Sequence, residues 1–458
     1  MRYILIGLIL LSLPGCKGRD SKAEKREVQN TSPISSSNDE ESLLDSVQKQ
    51  TINYFWDGAN KDSGLAPERI HLDDIYPSDD KNTVTIGGTG FGLMAIVAGV
   101  ERGFITKDSA FARFQKMVDF LDKADRFHGA WPHWLDGTTG KVKPFSKYDD
   151  GGDLVETAFL VQGLLTVAEY YKDGTEQEQA LATQIQRMWE EVEWDWYTQG
   201  EDVLYWHWSP NVGWKMNFPV GGYNEALVMY VLAAASPTHP ITKAVYEKGW
   251  AVDGKIAQDT TAYGMRTVLN HFEHDDKAIV GPMFWAHYSY LGLNPKGLSD
   301  QYGDYWKLNV NHAKIQYEYA LENPKNFKGY GADLWGMTSS YSINGYAGHR
   351  PGNDLGVISP TAALSSMPYT PKESKAFLEH LYTDLDSLVG KFGPYDAFSL
   401  QDDWYLPRYL AIDQGPIPVM IENYRSGLLW DLFMKNEEVL DGLRKLGFES
   451  PYLKNQED

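Results

Sequence analysis

Two kinds of hydrophobic pattern alternate along this chain from about residue 42 onward. In the first, apolar residues recur every three to four positions on a charged background. The segments are ESLLDSVQKQTINYFWDGA (41–59), KDSAFARFQKMVDFLDKA (107–124), EQEQALATQIQRMWEEVE (176–193), ITKAVYEKGW (241–250), NHAKIQYEYALE (311–322) and PKESKAFLEHLYTDLDSLV (371–389). A single apolar stripe predicts a surface helix. In the second kind, residues are apolar or small nearly all round: GTGFGLMAIVAGVERG (88–103), DLVETAFLVQGLLTVAEYY (153–171), YNEALVMYVLAAAS (223–236), GPMFWAHYSYLG (281–292), SPTAALSSM (359–367) and DQGPIPVMIENYRSGLLWDLF (413–433). Helices apolar on every face are predicted buried. Their starts are spaced about 55 to 80 residues apart.

Six outer helices alternating with six inner ones predict an all-α (α/α)6 toroid, with the inner helix ends opening onto a cleft at one rim. No alternating strand pattern competes over most of the chain; aromatic stretches such as VLYWHWS (203–209) read as hairpins or loops. Two separate bundles would need a polar linker, and none divides the chain after residue 42, so residues 42–458 are expected to form one domain.

Several inner helices are expected to begin with a Gly-rich or Pro-containing loop: GGTG (87–90), DDGGD (149–153), VGGYNE (220–225), VGP (280–282) and IDQGP (412–416). If these entrances share a rim, the polar residues in them converge. The densest is YDDGGDLVETAFLV (148–161), where Asp149, Asp150, Asp153 and Glu156 crowd the mouth of an apolar helix. Asp153 and Glu156 have the spacing of a capping box, and acidic residues suit a helix N-terminus. Capping does not account for Asp149 and Asp150 as well. Glu422 falls inside an apolar segment, where a carboxylate needs a partner or a task; Arg425, three residues on, is the evident partner. Together with Glu225 and Asp413, these acids are candidates for a shared cleft.

Composition sharpens that reading. The chain carries 15 Trp and 28 Tyr, and its aromatics flank the helix ends: Trp131 and Trp134, Trp206 and Trp208, Trp214, Trp285 with His287 and Tyr288, and Trp335. Flat rings with a polar tip suit sugar rings, and paired carboxyl groups supply the acid and base of glycoside hydrolysis; core packing is the competing use. A net charge of −21 argues against nucleic acid and against steering anionic ligands, leaving a neutral substrate. The histidines, among them His128, His133, His207, His271, His274, His287 and His312, show no metal-binding spacing, and DDGGDLVE lacks the calcium-loop pattern. No G-x-S-x-G is present, and GGTGFG (87–92) follows no strand. No metal or cofactor is therefore expected.

The chain opens MRYILIGLILLSLPGC, a short apolar run after Arg2 that ends at Cys16, the sole cysteine. The layout predicts a lipoprotein signal peptide (1–16) with a lipid-modified Cys16. Residues 17–41, polar and Ser-rich, predict a flexible tether. The expected location is membrane-anchored, periplasmic or on the outer-membrane cell surface, with the chain a monomer.

YDDGGDLVETAFLVQGLL, GGYNEALVMYVLAAAS and IDQGPIPVMIENYRSGLLW resemble, in order, motifs of the glucoamylase-like family of bacterial lipoproteins, which includes glycoside hydrolase family 144, the β-1,2-glucanases. The resemblance spans about residues 42–450 and implies an (α/α)6 barrel with an acidic cleft. It also implies inverting hydrolysis of β-1,2-glucan to sophorose or short sophoro-oligosaccharides. Asp149, Asp153 and Glu156 match the acids of the first motif, Glu225 that of the second and Asp413 that of the third. Inversion needs an acid and a base on opposite ring faces; Glu225 is the expected acid and Asp413 the expected base, with Asp153 second. Three other readings stand beside it: an exo-acting glucosidase on another linkage, a polysaccharide lyase, and a non-catalytic surface glycan-binding lipoprotein. The acidic rim argues against the lyase, and the paired carboxyls against the binding protein. Residues 293–310 and 324–358 are candidates for a wall that would close one cleft end.

Overall fold

A computed structural model describes residues 37–257, 261–267 and 280–454. Cys16, the signal segment, most of the tether, His271 and His274 lie outside the described residues. The chain is largely helical. Among the described residues no sheet exceeds three strands, so no strand barrel forms.

The charged segments become surface helices: α1 (Ser37–Trp56), α3 (Lys107–Leu121), α5 (Glu176–Glu190), α7 (Lys243–Lys248), α8 (Tyr305–Glu322) and α10 (Pro371–Thr383). Local signals fix their starts. Thr106 caps α3 through Ser109 N–H, and Thr175 with Glu178 forms a full capping box on α5. Between them run the buried helices α2 (Ile86–Glu101), α4 (Leu154–Tyr171), α6 (Leu227–Ala235), α9 (Pro360–Leu364), α11 (Ala411–Gln414) and α12 (Pro416–Arg425).

Several inner segments depart from expectation. GGTG is not a loop but the first turn of α2. Its glycines serve contact: a Cβ on Gly90 would stand 2.1 Å from the Phe159 carbonyl oxygen, and one on Gly163 would stand 2.2 Å from that of Gly90. The helices α2 and α4 therefore cross backbone to backbone. GPMFWAHYSYLG forms two 3-10 turns, Met283–Ala286 and Tyr288–Leu291, rather than one helix. A run of aromatics has little intrinsic helicity, and neighbours hold its backbone instead. Gln162 bonds Tyr288 O and Gly292 N–H, and Ser289 Oγ accepts from Val228 N–H. The segment 413–433 breaks at Gly415–Pro416, because Pro416 has no N–H to continue α11, and again at Gly427 (φ 75°). The last pieces are α13 (Leu428–Phe433) and the amphipathic α14 (Glu437–Leu446), which sequence periodicity had not singled out. Gly442 lets α14 lie against Val231 and Ala235 of α6.

Short strands set the rim. Thr83–Thr85 runs into α2, Gly152–Asp153 into α4 and Arg408–Leu410 into α11. Each is pinned by an antiparallel partner: Trp134–Asp136, His207–Trp208 and Arg69–His71 respectively. Two- or three-residue strands have little stability alone. Here they align three helix entrances and leave the polar residues beside them facing one space.

Candidate active site

That space is a cavity of about 430 Å³. Its floor is aromatic: Phe159 and Tyr288 line it, and the buried Phe91 packs beneath them, the three rings with centroids 5.0–5.6 Å apart. Its walls include Glu156, Glu225, Glu68 and Arg69, His133, Trp134, Phe145 and Trp206. The hairpin 339–348 closes one side with Ser339, Tyr341 and Tyr346, inside one of the segments expected to form a wall.

Asp153 sits at the N-cap of α4 and accepts from Glu156 N–H (2.9 Å) through one oxygen. The reciprocal half of the capping box is missing. Glu156 instead accepts from Gly87 N–H (2.8 Å), in the first turn of α2. One acid caps its own helix and the next caps the neighbouring one, which only the close α2–α4 crossing allows. Both acids are thus engaged in capping, and Glu156 also lines the cavity.

His133 is the counter-cation of this group. Its Nδ1 donates to Asp153 Oδ2 (2.8 Å) and lies 3.7 Å from Asp149 Oδ2, and its Nε2 lies 3.9 Å from Glu156 Oε1. Burial pushes this imidazole down, but the carboxylates of Glu156, Asp153 and Asp149 outweigh it and raise its pKa to about 10. Asp153 is held below its ordinary value: burial opposes ionisation, but the hydrogen bond and charge of His133 win. Asp149 is pushed up to about 7 by burial and then by the Asp153 charge. Glu156 also rises to about 7, through burial first. His207 approaches Asp149 at 3.4 Å and Asp153 at 3.7 Å, yet burial lowers it to about 4 and keeps it neutral. The ligand atoms of His133, Asp149 and Asp153 lie within 4.8 Å of one another, close enough to grip a divalent cation. An imidazolium already bridging the acids meets the same electrostatic need.

Glu225 lines the cavity two residues before α6, in a turn where Asn224 Oδ1 accepts from Ala226 N–H and the Glu225 carbonyl accepts from Ser289 Oγ. Asp413 lies beside Tyr288 and faces a second buried acid, Asp396. No oxygen of either carboxyl has a donor in regular hydrogen-bond geometry among the described residues. Burial raises both: Asp413 to about 7, with the approach of Asp396 and the Tyr288 hydroxyl holding it down, and Asp396 well above its usual range. Two such groups share a proton rather than ionise together.

Other candidates do not belong here. Glu422 is paired, but not with Arg425. Arg102 grips it in two bonds (2.7 and 2.8 Å), with Ser426 and Gln48 completing its shell. Arg425 turns to Glu41, Asp45 and Gln48 of α1. Trp131 is buried, bonded to Leu121 O and covered by Arg126. Trp335 is buried in a separate core and bonded to Glu373 O, and the Trp285 ring lies over Gly281. His287 is buried against Ser366, and burial lowers its pKa to about 3. Trp134, Trp206 and Tyr288 line the cavity as expected; Trp214 lines a different one, and Trp208 packs edge-on against Trp196 behind it. Sequence reasoning passed over Glu68, Arg69, Asp396, Tyr341 and Tyr346, and dismissed His133 and His207 for lack of spacing. Only the strand pairing Asp153↔His207 reveals the latter.

Residues 217–437 match the family model described as "Putative glucoamylase". A curated relative, the exo β-1,2-glucooligosaccharide sophorohydrolase (non-reducing end) of Parabacteroides distasonis, is 41% identical over 440 residues. The match takes in 92% of this chain but 60% of that relative, so the chain spans less than two thirds of its length. Among solved structures, the endo-β-1,2-glucanase of Chitinophaga pinensis in complex with sophorotriose and glucose is 58% identical with a TM-score of 0.88, covering 90% of this chain and 99% of that one. A β-1,2-glucanase of Parabacteroides distasonis is 40% identical with a TM-score of 0.84, covering 89% and 60%.

Proposed function

The chain belongs to the glucoamylase-like family of the Chitinophaga pinensis endo-β-1,2-glucanase, and we propose that it is an inverting glycoside hydrolase cleaving β-1,2-glucan to sophorose or short sophoro-oligosaccharides. The observation that carries this reading is that Glu156 and Glu225 line one aromatic-floored space, with Asp413 buried behind it against Tyr288, each acid supplied by a different helix entrance.

Glu225 is the general acid. It gives its proton to the glycosidic oxygen as the bond from C1 to that oxygen breaks. Asp413 is the base. It takes a proton from the water whose oxygen bonds C1 from the opposite face, which inverts the anomeric centre. The raised pKa of Asp413 suits a base working near neutral pH. Asp149, Asp153 and Glu156, held by His133, fix the polar wall that receives sugar hydroxyls. Trp134, Trp206 and Tyr288 supply the ring faces. The alternation of buried and surface helices supports a complete (α/α)6 toroid. At the N-terminus, Cys16 is the lipidation site of a monomer at the periplasmic or outer-membrane surface; the tether expected over 17–41 stops short of its limit, because residues 37–41 already belong to α1 and Glu41 pairs with Arg425.

The test is incubation of the chain with linear β-1,2-glucan, following products over time and the anomer released by NMR. An early ladder of oligosaccharides identifies endo action, and sophorose alone identifies exo action. An initial β-anomer contradicts inversion, and absence of any release contradicts the function.

A further inference from the structure

The loop between α5 and α6 builds two cavities, not one. Its strand His207–Trp208 is flanked on one side by Trp206 and Glu225 of the cleft. On the other side lies a separate cavity of about 560 Å³ lined by Glu193, Asp195, Trp196, Gln199, Trp214 and His239, with no lining residue in common. The geometry points to a second binding site for the same neutral glucan here. This rests on the proposed β-1,2-glucan specificity.

Trp196 is 41% exposed, unusual for an indole. One face is stacked on His128 (3.8 Å, 15° between planes), which leaves the opposite face open. Trp214 continues the wall at 6.3 Å and 37°. The support is rigid: His128 is itself fixed by Glu193 (2.9 Å), and Trp208 buttresses both rings. A preorganised indole face with carboxylates at its edge matches a pyranose, whose C–H face stacks while its hydroxyls donate.

The polar groups fit binding rather than catalysis. Glu193 is tied to His128, and Asp195 accepts from Trp196 N–H and faces His239, so neither is poised as a general acid. Gln199 is held in the left-handed region (φ 54°), a costly conformation for a side-chain-bearing residue. Its Nε2 is buried without an acceptor among the described residues. The Gln199 residue lines the cavity beside the open indole face.

The test uses the Glu225→Gln chain, which retains the cleft but lacks the acid, titrated calorimetrically with sophorotriose. Binding is expected at about two sites per chain, falling to about one when Trp196→Ala is added, because the stacking face is lost. For long β-1,2-glucan, which can engage both sites, Trp196→Ala is expected to weaken binding about tenfold or more. Gln199→Gly provides an independent variant: it keeps the left-handed turn while removing a side chain from the cavity lining, and is expected to weaken the second site alone. One site in Glu225→Gln, or two sites surviving both substitutions, overturns the proposal. If wild-type chain releases sophoro-oligosaccharides while binding is single-site, only the second site falls. If there is neither release nor binding, the function on which it rests falls too.

Discussion

Replacing Arg102 by Met tests whether Glu422 is a structural acid or a functional one. The Glu422 side chain is 2% exposed, and its oxygens accept two bonds from Arg102, one from Ser426 Oγ (2.6 Å) and one from Gln48 Nε2 (3.2 Å). Met fills the aliphatic volume of Arg102 but leaves a buried carboxylate with two neutral donors. Breaking a buried pair by removing one partner costs about 3–5 kcal/mol. Arg102 is itself 24% exposed, so water enters readily and about 3 kcal/mol is expected. Removing both charges, as Arg102→Met with Glu422→Leu, should restore most of that, to within about 1 kcal/mol of the parent. Urea unfolding followed by tryptophan fluorescence measures both. The pH dependence gives an independent check. Burial pushes Glu422 up, but Arg102 and Ser426 hold it below the usual glutamate value. The stability it contributes is therefore complete above about pH 4.5 and is lost as pH falls through its lower folded pKa. In Arg102→Met the sign reverses, and acid becomes favourable. A loss under about 1 kcal/mol in Arg102→Met would refute the buried-pair argument. A folded double variant without glucan hydrolysis would return Glu422 to the site.

Gly90→Ala would place a methyl 2.1 Å from the Phe159 carbonyl oxygen, so α2 and α4 must separate. We expect about 1–3 kcal/mol of destabilisation and, because the Gly87 N–H to Glu156 bond spans that crossing, lower kcat in the folded fraction; unchanged melting and turnover would contradict it. Asp396→Ala removes the group that holds Asp413 down. The acid limb of kcat/KM, expected near 7, should move to higher pH, whereas Asp396→Asn, which still donates, should leave it nearly in place. A limb in the ordinary carboxylate range in all three proteins would exclude Asp413 as the base. His133 is raised to about 10, so its stabilisation is complete below about pH 6.5 and is lost as pH rises toward 10. Melting temperature should fall across that window in the parent and less in His133→Asn; parallel curves would refute the counter-cation role.

Much was legible in the pattern. The surface helices α3 and α5 fell within a few residues of their expected limits because an amphipathic stripe carries its own period, whereas α8 began at Tyr305 rather than 311 and α10 ended at Thr383 rather than 389; α4 began at the expected acid because Asp153 is a local cap. Where local signals were weak, neighbours decided. The aromatic run 283–291 became two 3-10 turns held by Gln162, and GGTG became helix because two backbones needed to meet.

By itself, the sequence determined which segments bury and which face water, where helices start, and which motifs carry carboxylates, because periodicity, caps and prolines act within a few residues. The tertiary structure alone decided which acids share a space. His133 and His207 reach Asp153 through strand pairing, Asp396 faces Asp413 from a separate segment, and Arg102 rather than Arg425 takes Glu422. It also divided the tryptophans between core, cleft and the Trp196 wall. These are contacts across tens to hundreds of residues. A pKa or a ring's accessibility depends on what lies within a few ångströms in space, and no local pattern encodes that.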